Sequence, residues 1–260
     1  MRTQFPGRHE LGQNFLTDRT VVAAVVDAVA ATPHLPIVEI GAGGGALTLP
    51  LQALGRPVTG IEVDRRLAAS LAAKVGPTTT VVAGDFLTHR LPAVPHVLVG
   101  NLPFHQTTAM LRRVLRAGHW TSAVLLVQWE VARRRAGVGG ATLMTAQWWP
   151  WFDFALLRRV PAAAFTPRPG VDGGLVTITR RTTPLVPARQ RGPYQDFVRR
   201  AFTGRGRGAR QAVAAAVPSN RRAAVSRWTR RHLADTALPR DLTARQWAEL
   251  FHLTDHEETP

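Results

Sequence analysis

The 260-residue chain contains no cysteine. That excludes disulfide-stapled mini-folds, thiolate nucleophiles, iron–sulfur clusters and thiolate zinc sites together. Lysine and tyrosine occur once each, as Lys74 and Tyr194, so nearly all positive charge is guanidinium and the Tyr/Lys pair of a hydride-transfer site is missing. Apolar runs stay short, and none reaches the eighteen residues that would suggest a membrane span. The polar segment Met1 to Asn14 does not resemble a secretory leader. These features predict a cytoplasmic protein with no membrane association. Acids are also scarce, 17 Asp+Glu against 33 Lys+Arg, and the net charge of +16 favours a polyanionic partner, of which nucleic acid is the commonest in the cytosol.

A balance of 45% apolar and 19% charged residues excludes wholesale disorder, and the length suits one large domain with a smaller one. The Pro-, Arg- and Thr-rich stretch from Thr182 to Pro193 reads as a linker. It predicts a catalytic domain over 1–182 and a small, basic helical domain over 183–260. Within the latter, ten arginines and no carboxylate lie between Arg199 and Arg231. Phosphate contact by Arg205, Arg207 and Arg210 is the expectation there.

Before residue 182, short β-branched runs (Ile37–Ile40, Val58–Ile61, Thr80–Ala83, Val97–Val99, Ala123–Val127) alternate with leucines at helical spacing, such as Leu47, Leu51 and Leu54. That rhythm predicts an α/β fold with a parallel sheet and a ligand at the carboxyl ends of the strands. Gly41-Ala42-Gly43-Gly44-Gly45 follows the first run, where glycine lets the backbone approach a cofactor. Glu62, twenty-one residues beyond Gly41, is placed to accept from ribose hydroxyls, and Asp85 from an adenine amino group. A nicotinamide cofactor would fit these features equally well, so an oxidoreductase stands as an alternative. A non-enzymatic RNA-binding protein would account for the charge alone.

The fourth run ends in Asn101-Leu102-Pro103-Phe104. The exocyclic nitrogen of adenine is a poor nucleophile because its lone pair is delocalised into the ring. The Asn101 amide oxygen and the Leu102 carbonyl could hold its two hydrogens and draw it toward tetrahedral geometry. Phe104 offers a stacking face, and neither a charged base nor a metal is needed. His252 and His256 have metal-pair spacing but no third ligand nearby. Trp148, Trp149, Trp151 and Phe152 read as packing rather than as a base platform.

The motifs Gly12-Gln13-Asn14-Phe15-Leu16, Glu39 to Gly45, Ile61 to Asp64, Gly84-Asp85, Asn101 to Phe104, Gln128 to Ala132 and Phe165 to Asp172 occur in the order found in the ribosomal RNA adenine N6-methyltransferases, which the chain resembles. That family unites the Erm macrolide-resistance enzymes with the dimethyladenosine transferases of the small ribosomal subunit. The resemblance implies a Rossmann-like class I methyltransferase domain with a seven-stranded, mostly parallel sheet. It also implies S-adenosyl-L-methionine as cofactor, held by Asn14, Leu16, Gly41, Gly43, Glu62, Asp85 and Asn101. Asn101, Phe104 and Phe165 would form the catalytic set, with the target adenine between the two rings. Many relatives carry Tyr where this chain has Phe104; stacking needs only the ring. The stretches Gln128 to Arg135, Gln147 to Trp151 and Leu242 to Trp247 are similar to Erm proteins of the actinobacterial type. A monomer acting on 23S ribosomal RNA before subunit assembly, and macrolide–lincosamide–streptogramin B resistance, are the expected consequences; 16S dimethylation is the alternative.

Overall fold

The computed structural model describes residues 14–204 and 206–254. In chain order its elements are β1 (Phe15–Leu16), α1 (Arg19–Ala30), β2 (Ile37–Ile40), α2 (Thr48–Leu51), β3 (Val58–Glu62), α3 (Arg65–Ala72), β4 (Thr79–Ala83) and β5 (His96–Asn101). They continue with α4 (Thr107–Arg116), β6 (Trp120–Gln128), α5 (Trp129–Arg135), α6 (Leu143–Trp148), β7 (Phe152–Val160), β8 (Phe165–Thr166) and β9 (Gly173–Arg180). Helices α7 (Arg191–Thr203), α8 (Gly208–Ala216), α9 (Arg222–His232) and α10 (Ala244–His252) follow.

Seven strands form one sheet in the order β4-β3-β2-β5-β6-β9-β7, and β1 pairs separately with β8. The pairs from β4 through to β6 are all parallel, whereas β9 runs antiparallel to β6. This is the mostly parallel α/β sheet that the alternating apolar runs predict. The break in strand order falls at β2, whose neighbours are β3 and β5, so the carboxyl ends of these strands frame a crevice.

Helix α1 shows how the layers hold. Asp18 accepts the amides of Thr20 and Val21 as its N-cap, and Val21, Val25 and Val29 bury one face. That face joins Ile37, Leu47, Leu51 and Val58 in the core, each buried valine contributing about 2 kcal/mol. Gly100 serves the sheet through what it lacks. A Cβ at Gly100 would lie 2.6 Å from the Ile40 carbonyl oxygen in the register-paired neighbour strand. Gly100→Ala is therefore expected to force β2 and β5 apart at a cost of about 1–3 kcal/mol. A thermal melt should show a Tm lower by roughly 3–10 °C; an unchanged Tm would contradict the close approach.

The described chain divides into two compact units, one running to Ala132 with Ala155–Thr179, the other Arg133–Phe154 with the residues from Arg180 on. A single cut after residue 182 does not describe this division, because Arg133–Phe154 groups with the later helices. The reason is aromatic packing. Trp148, Trp151 and Phe152 are buried, Trp151 meets Tyr194 edge-on at 5.4 Å, and Tyr194 meets Phe251 at 5.3 Å. Tyr194 donates its hydroxyl to the Ala146 carbonyl at 2.8 Å, and burial pushes its pKa up, so the lone tyrosine is a packing residue. Thr243 caps α10 through the Gln246 amide. No helix among the described residues is long and apolar enough to cross a membrane.

Candidate active site

A cavity opens at the carboxyl ends of β2 to β5, lined by Asn14, Gly41, Gly43, Glu62, Asp85 and Asn101, together with Leu102 and Pro103. Gly41 and Gly43 have φ of +73° and +53°, a region in which only glycine is unstrained. The Gly43 amide donates to Glu62 Oε2 at 2.7 Å, and the Asp64 amide donates to Oε1 at 2.9 Å. Glu62 is thus buried between two backbone donors and forms no ion pair with Arg65 or Arg66. Each of its oxygens retains a second acceptor direction, suited to a vicinal diol. Asp85 is exposed; its Oδ1 accepts the Leu87 amide at 2.8 Å, and Oδ2 has no partner among the described residues.

Behind the glycine turn Glu39 is fully buried and accepts the Thr48 hydroxyl at 2.5 Å. Burial pushes its pKa up to about 8; the Thr48 hydrogen bond opposes the rise and the Glu62 charge adds to it. Burial thus favours the neutral form of Glu39 behind the turn.

Three remote segments converge at the end of β5. The Asn101 Nδ2 donates to the Asn14 carbonyl at 2.7 Å, and β1 pairs Leu16 with Phe165 of β8. The first contact fixes the orientation of the amide, so Oδ1 is the atom left to accept. Neither that oxygen nor the Leu102 carbonyl has a partner among the described residues, while the Leu102 amide is tied to Leu126 O at 2.9 Å. Two acceptors are thus held at one strand end without a competing donor. The rings of Phe104 and Phe165 meet edge to face with centroids 5.7 Å apart. Phe165 is buried with its ring over Gly173, where a Cβ would lie 3.2 Å away, and Phe104 is half-buried.

Of the sequence-derived residues, the cavity wall brings together Asn14, Gly41, Gly43, Glu62, Asp85 and Asn101; Phe104 and Phe165 meet each other but do not line it, and neither does Leu16. Leu16 turns into the core, and the neighbouring Phe15 lines the cavity. Gly12 and Gln13 of the same motif lie outside the described residues. Sequence reasoning also missed Val63, Phe86, Gln106 and Met110 on the wall. Gln106 and Met110 are one helical turn apart at the start of α4, a spacing visible directly after the Asn101–Phe104 loop.

The arginine-rich region sorts into engaged and open side chains. Arg210 pairs with Asp235 and donates to the carbonyls of Leu233 and Arg230, so it closes the end of α9 rather than standing free for phosphate. Arg200 donates to Ala216 O, Arg199 pairs with Asp196, and Arg135 donates to Thr142 and Thr145. Arg222, Arg227, Arg230 and Arg231 are exposed on α9 and make no side-chain hydrogen bond or ion pair with the described residues. Arg207 is exposed as well, and Arg205 lies outside the described residues. His252 is in contact with the Leu185 carbonyl at 3.0 Å, His256 is not among the described residues, and no group of three potential metal ligands occurs among those that are.

Residues 4–256 match the family described as ribosomal RNA adenine dimethylase. The chain is 55% identical over 203 residues to an rRNA adenine N-6-methyltransferase of Corynebacterium diphtheriae, covering 78% of this chain and 80% of that one. It is 47% identical over 248 residues to the mycinamicin-resistance protein MyrB of Micromonospora griseorubida, covering 95% and 79%. Among solved structures it is similar to the 23S rRNA methyltransferase ErmE, with TM-score 0.83 and 32% identity over 94% of this chain and all of that one. Sheet, cavity and these likenesses define a Rossmann-like methyltransferase that draws its methyl group from S-adenosylmethionine. The chain belongs to the ribosomal RNA adenine dimethylase family and is an rRNA adenine N6-methyltransferase. The oxidoreductase and non-enzymatic alternatives fall with that membership.

Proposed function

We propose that the acceptor is one adenine of 23S ribosomal RNA, and that its methylation confers resistance to macrolides, lincosamides and streptogramin B. The observation that carries the chemistry is the Asn101 amide, oriented by Asn14 O beside the unengaged Leu102 carbonyl. The names of the relatives at 55% and 47% identity, and of the ErmE neighbour, support the large subunit and resistance. S-adenosylmethionine, when bound, supplies an electrophilic methyl on a sulfonium. Glu62 accepts from its ribose hydroxyls, Asp85 Oδ2 accepts from its adenine amino group, and the bare backbone at Gly41 admits its amino-acid end.

At the target, Asn101 Oδ1 and Leu102 O take the two N6 hydrogens and hold the nitrogen lone pair directed at the methyl carbon. The bound donor would supply the methyl group with its C–S bond exchanged for the new N–C bond and a neutral thioether left behind, and one N6 proton would pass from the site to water. Phe104 or Phe165 turns from the edge-to-face contact so that the base stacks between them. The protein acts as a monomer in the cytoplasm, on RNA before full subunit assembly. Introduced into a macrolide-sensitive bacterium, the chain should raise tolerance to all three drug classes; unchanged sensitivity despite soluble expression would refute the 23S reading.

The helices over 183–260 contribute RNA affinity through the open arginines of α9, which neutralise phosphates without reading sequence. Replacing Arg222, Arg227, Arg230 and Arg231 together with Gln should lower the slope of log Kd against log salt by about 3. An unchanged slope would remove α9 from the interface.

A further inference from the structure

A second opening, about 590 Å³, lies at the end of β6, with Trp129, Glu130, Arg159, Arg168, Val171 and Asp172 on its wall. In the sheet order β6 is the next strand after β5, on the side away from β2. The cleft therefore continues the carboxyl edge that carries the cofactor cavity, beyond the Asn101–Phe104 loop. Its outer wall, Arg168 to Asp172, belongs to the loop that leaves Phe165 and returns to Gly173 beneath the Phe165 ring. One loop thus presents the target-base ring at its start and the cleft wall at its end.

The wall is pre-organised around one guanidinium. Arg159 Nε donates to Asp172 Oδ2 at 2.8 Å, and its Cζ lies 5.1 Å from the centroid of the Trp129 ring. Asp172 in turn accepts the Ala162 amide on Oδ1 at 2.9 Å and the Trp129 amide on its carbonyl at 2.8 Å. The Ala162 amide and the Arg159 guanidinium hold the Asp172 carboxyl below its usual range, so its charge is already committed. Arg159 is nonetheless 61% exposed, and its Nη atoms make no hydrogen bond with the described residues. Arg168, exposed and close enough to act on Asp172, is likewise without a hydrogen-bond partner among them. A guanidinium with its stem fixed and its outer edge open suits bidentate contact with a phosphate and loses little rotamer freedom on binding. Val171, 49% exposed, offers an apolar surface for a ribose or base.

Resting on the reading above, we propose that this cleft holds the RNA nucleotide adjacent to the methylated adenosine, with its phosphodiester on Arg159 Nη and the Arg168 guanidinium. Arg168 is the residue to vary, because Arg159 also anchors Asp172. Synthetic RNA fragments spanning the methylated adenine, each with one uncharged methylphosphonate linkage, would be assayed with the full-length wild type and Arg168→Gln. At one linkage flanking the target, the wild type should show KM raised about tenfold, the loss of one charged contact, with kcat and cofactor Kd unchanged. Arg168→Gln should show a rise on all-phosphate RNA and, because Arg159 remains, a further rise at that linkage smaller than the wild type shows there, while Arg168→Lys recovers part of the loss. Independent, additive penalties, or no effect of Arg168→Gln, would overturn the cleft assignment while methylation itself stands. Failure of the wild type to methylate any ribosomal RNA would remove the functional reading, and this inference with it.

Discussion

Asn101→Ala is expected to lower the single-turnover rate of methyl transfer by about 100-fold to 1000-fold, the loss seen when one pre-organised group at a reacting centre is removed. RNA affinity should be unchanged, since the role assigned to the side chain is to orient one nitrogen. Asn101→Asp is the sharper variant. It keeps the shape but places an oxygen where Nδ2 donates to Asn14 O at 2.7 Å. Two oxygens facing each other at that distance repel, so the group turns and the acceptor is misdirected. A comparable rate loss in both variants, with RNA binding intact, fits an oriented amide; near-normal transfer by Asn101→Ala contradicts the site assignment.

Glu62→Gln should cost the cofactor about 10–100-fold in affinity, from one charged hydrogen bond worth roughly 1.5–3 kcal/mol. The two carboxylate oxygens receive the amides of Gly43 and Asp64, and a carboxamide supplies only one acceptor. Its NH2 then faces an amide N–H, and one end of the glycine turn comes loose. A second readout distinguishes this from general damage. The Glu62 charge contributes to the rise of the Glu39 pKa to about 8, so Glu39 should titrate at lower pH in the variant. Cofactor affinity equal to that of the wild type, measured by calorimetry, would show that the turn does not depend on this carboxylate.

The cofactor side of the site is legible because its residues stand at the ends of local, strongly patterned elements. Ile37–Ile40 is a strand with the bounds its β-branched run suggests, and Gly41, Glu62, Asp85 and Asn101 each follow such a run. What escapes the sequence depends on distant partners. The pairing of Phe15–Leu16 with Phe165–Thr166 joins two-residue strands 150 positions apart, too short for any periodicity. It decides that Phe15 rather than Leu16 reaches the cavity. Strand β7 escapes because Leu157, Arg158 and Arg159 are all exposed on an edge strand and break alternation. Composition counts guanidinium groups without saying where they go. Arg210 looks identical to Arg230 in sequence, yet only Arg210 is spent on a carboxylate and two helix-end carbonyls. Arg56 is a further case, buried on the carbonyls of Leu35 and Val29.

The most direct measurement supplies the purified protein with methyl-labelled S-adenosylmethionine and, in separate reactions, protein-free large-subunit and small-subunit ribosomal RNA, and maps any label by reverse-transcription stops. The account predicts label at N6 of a single large-subunit adenine. Label in the small subunit, at several unrelated adenines, or in neither RNA would contradict it.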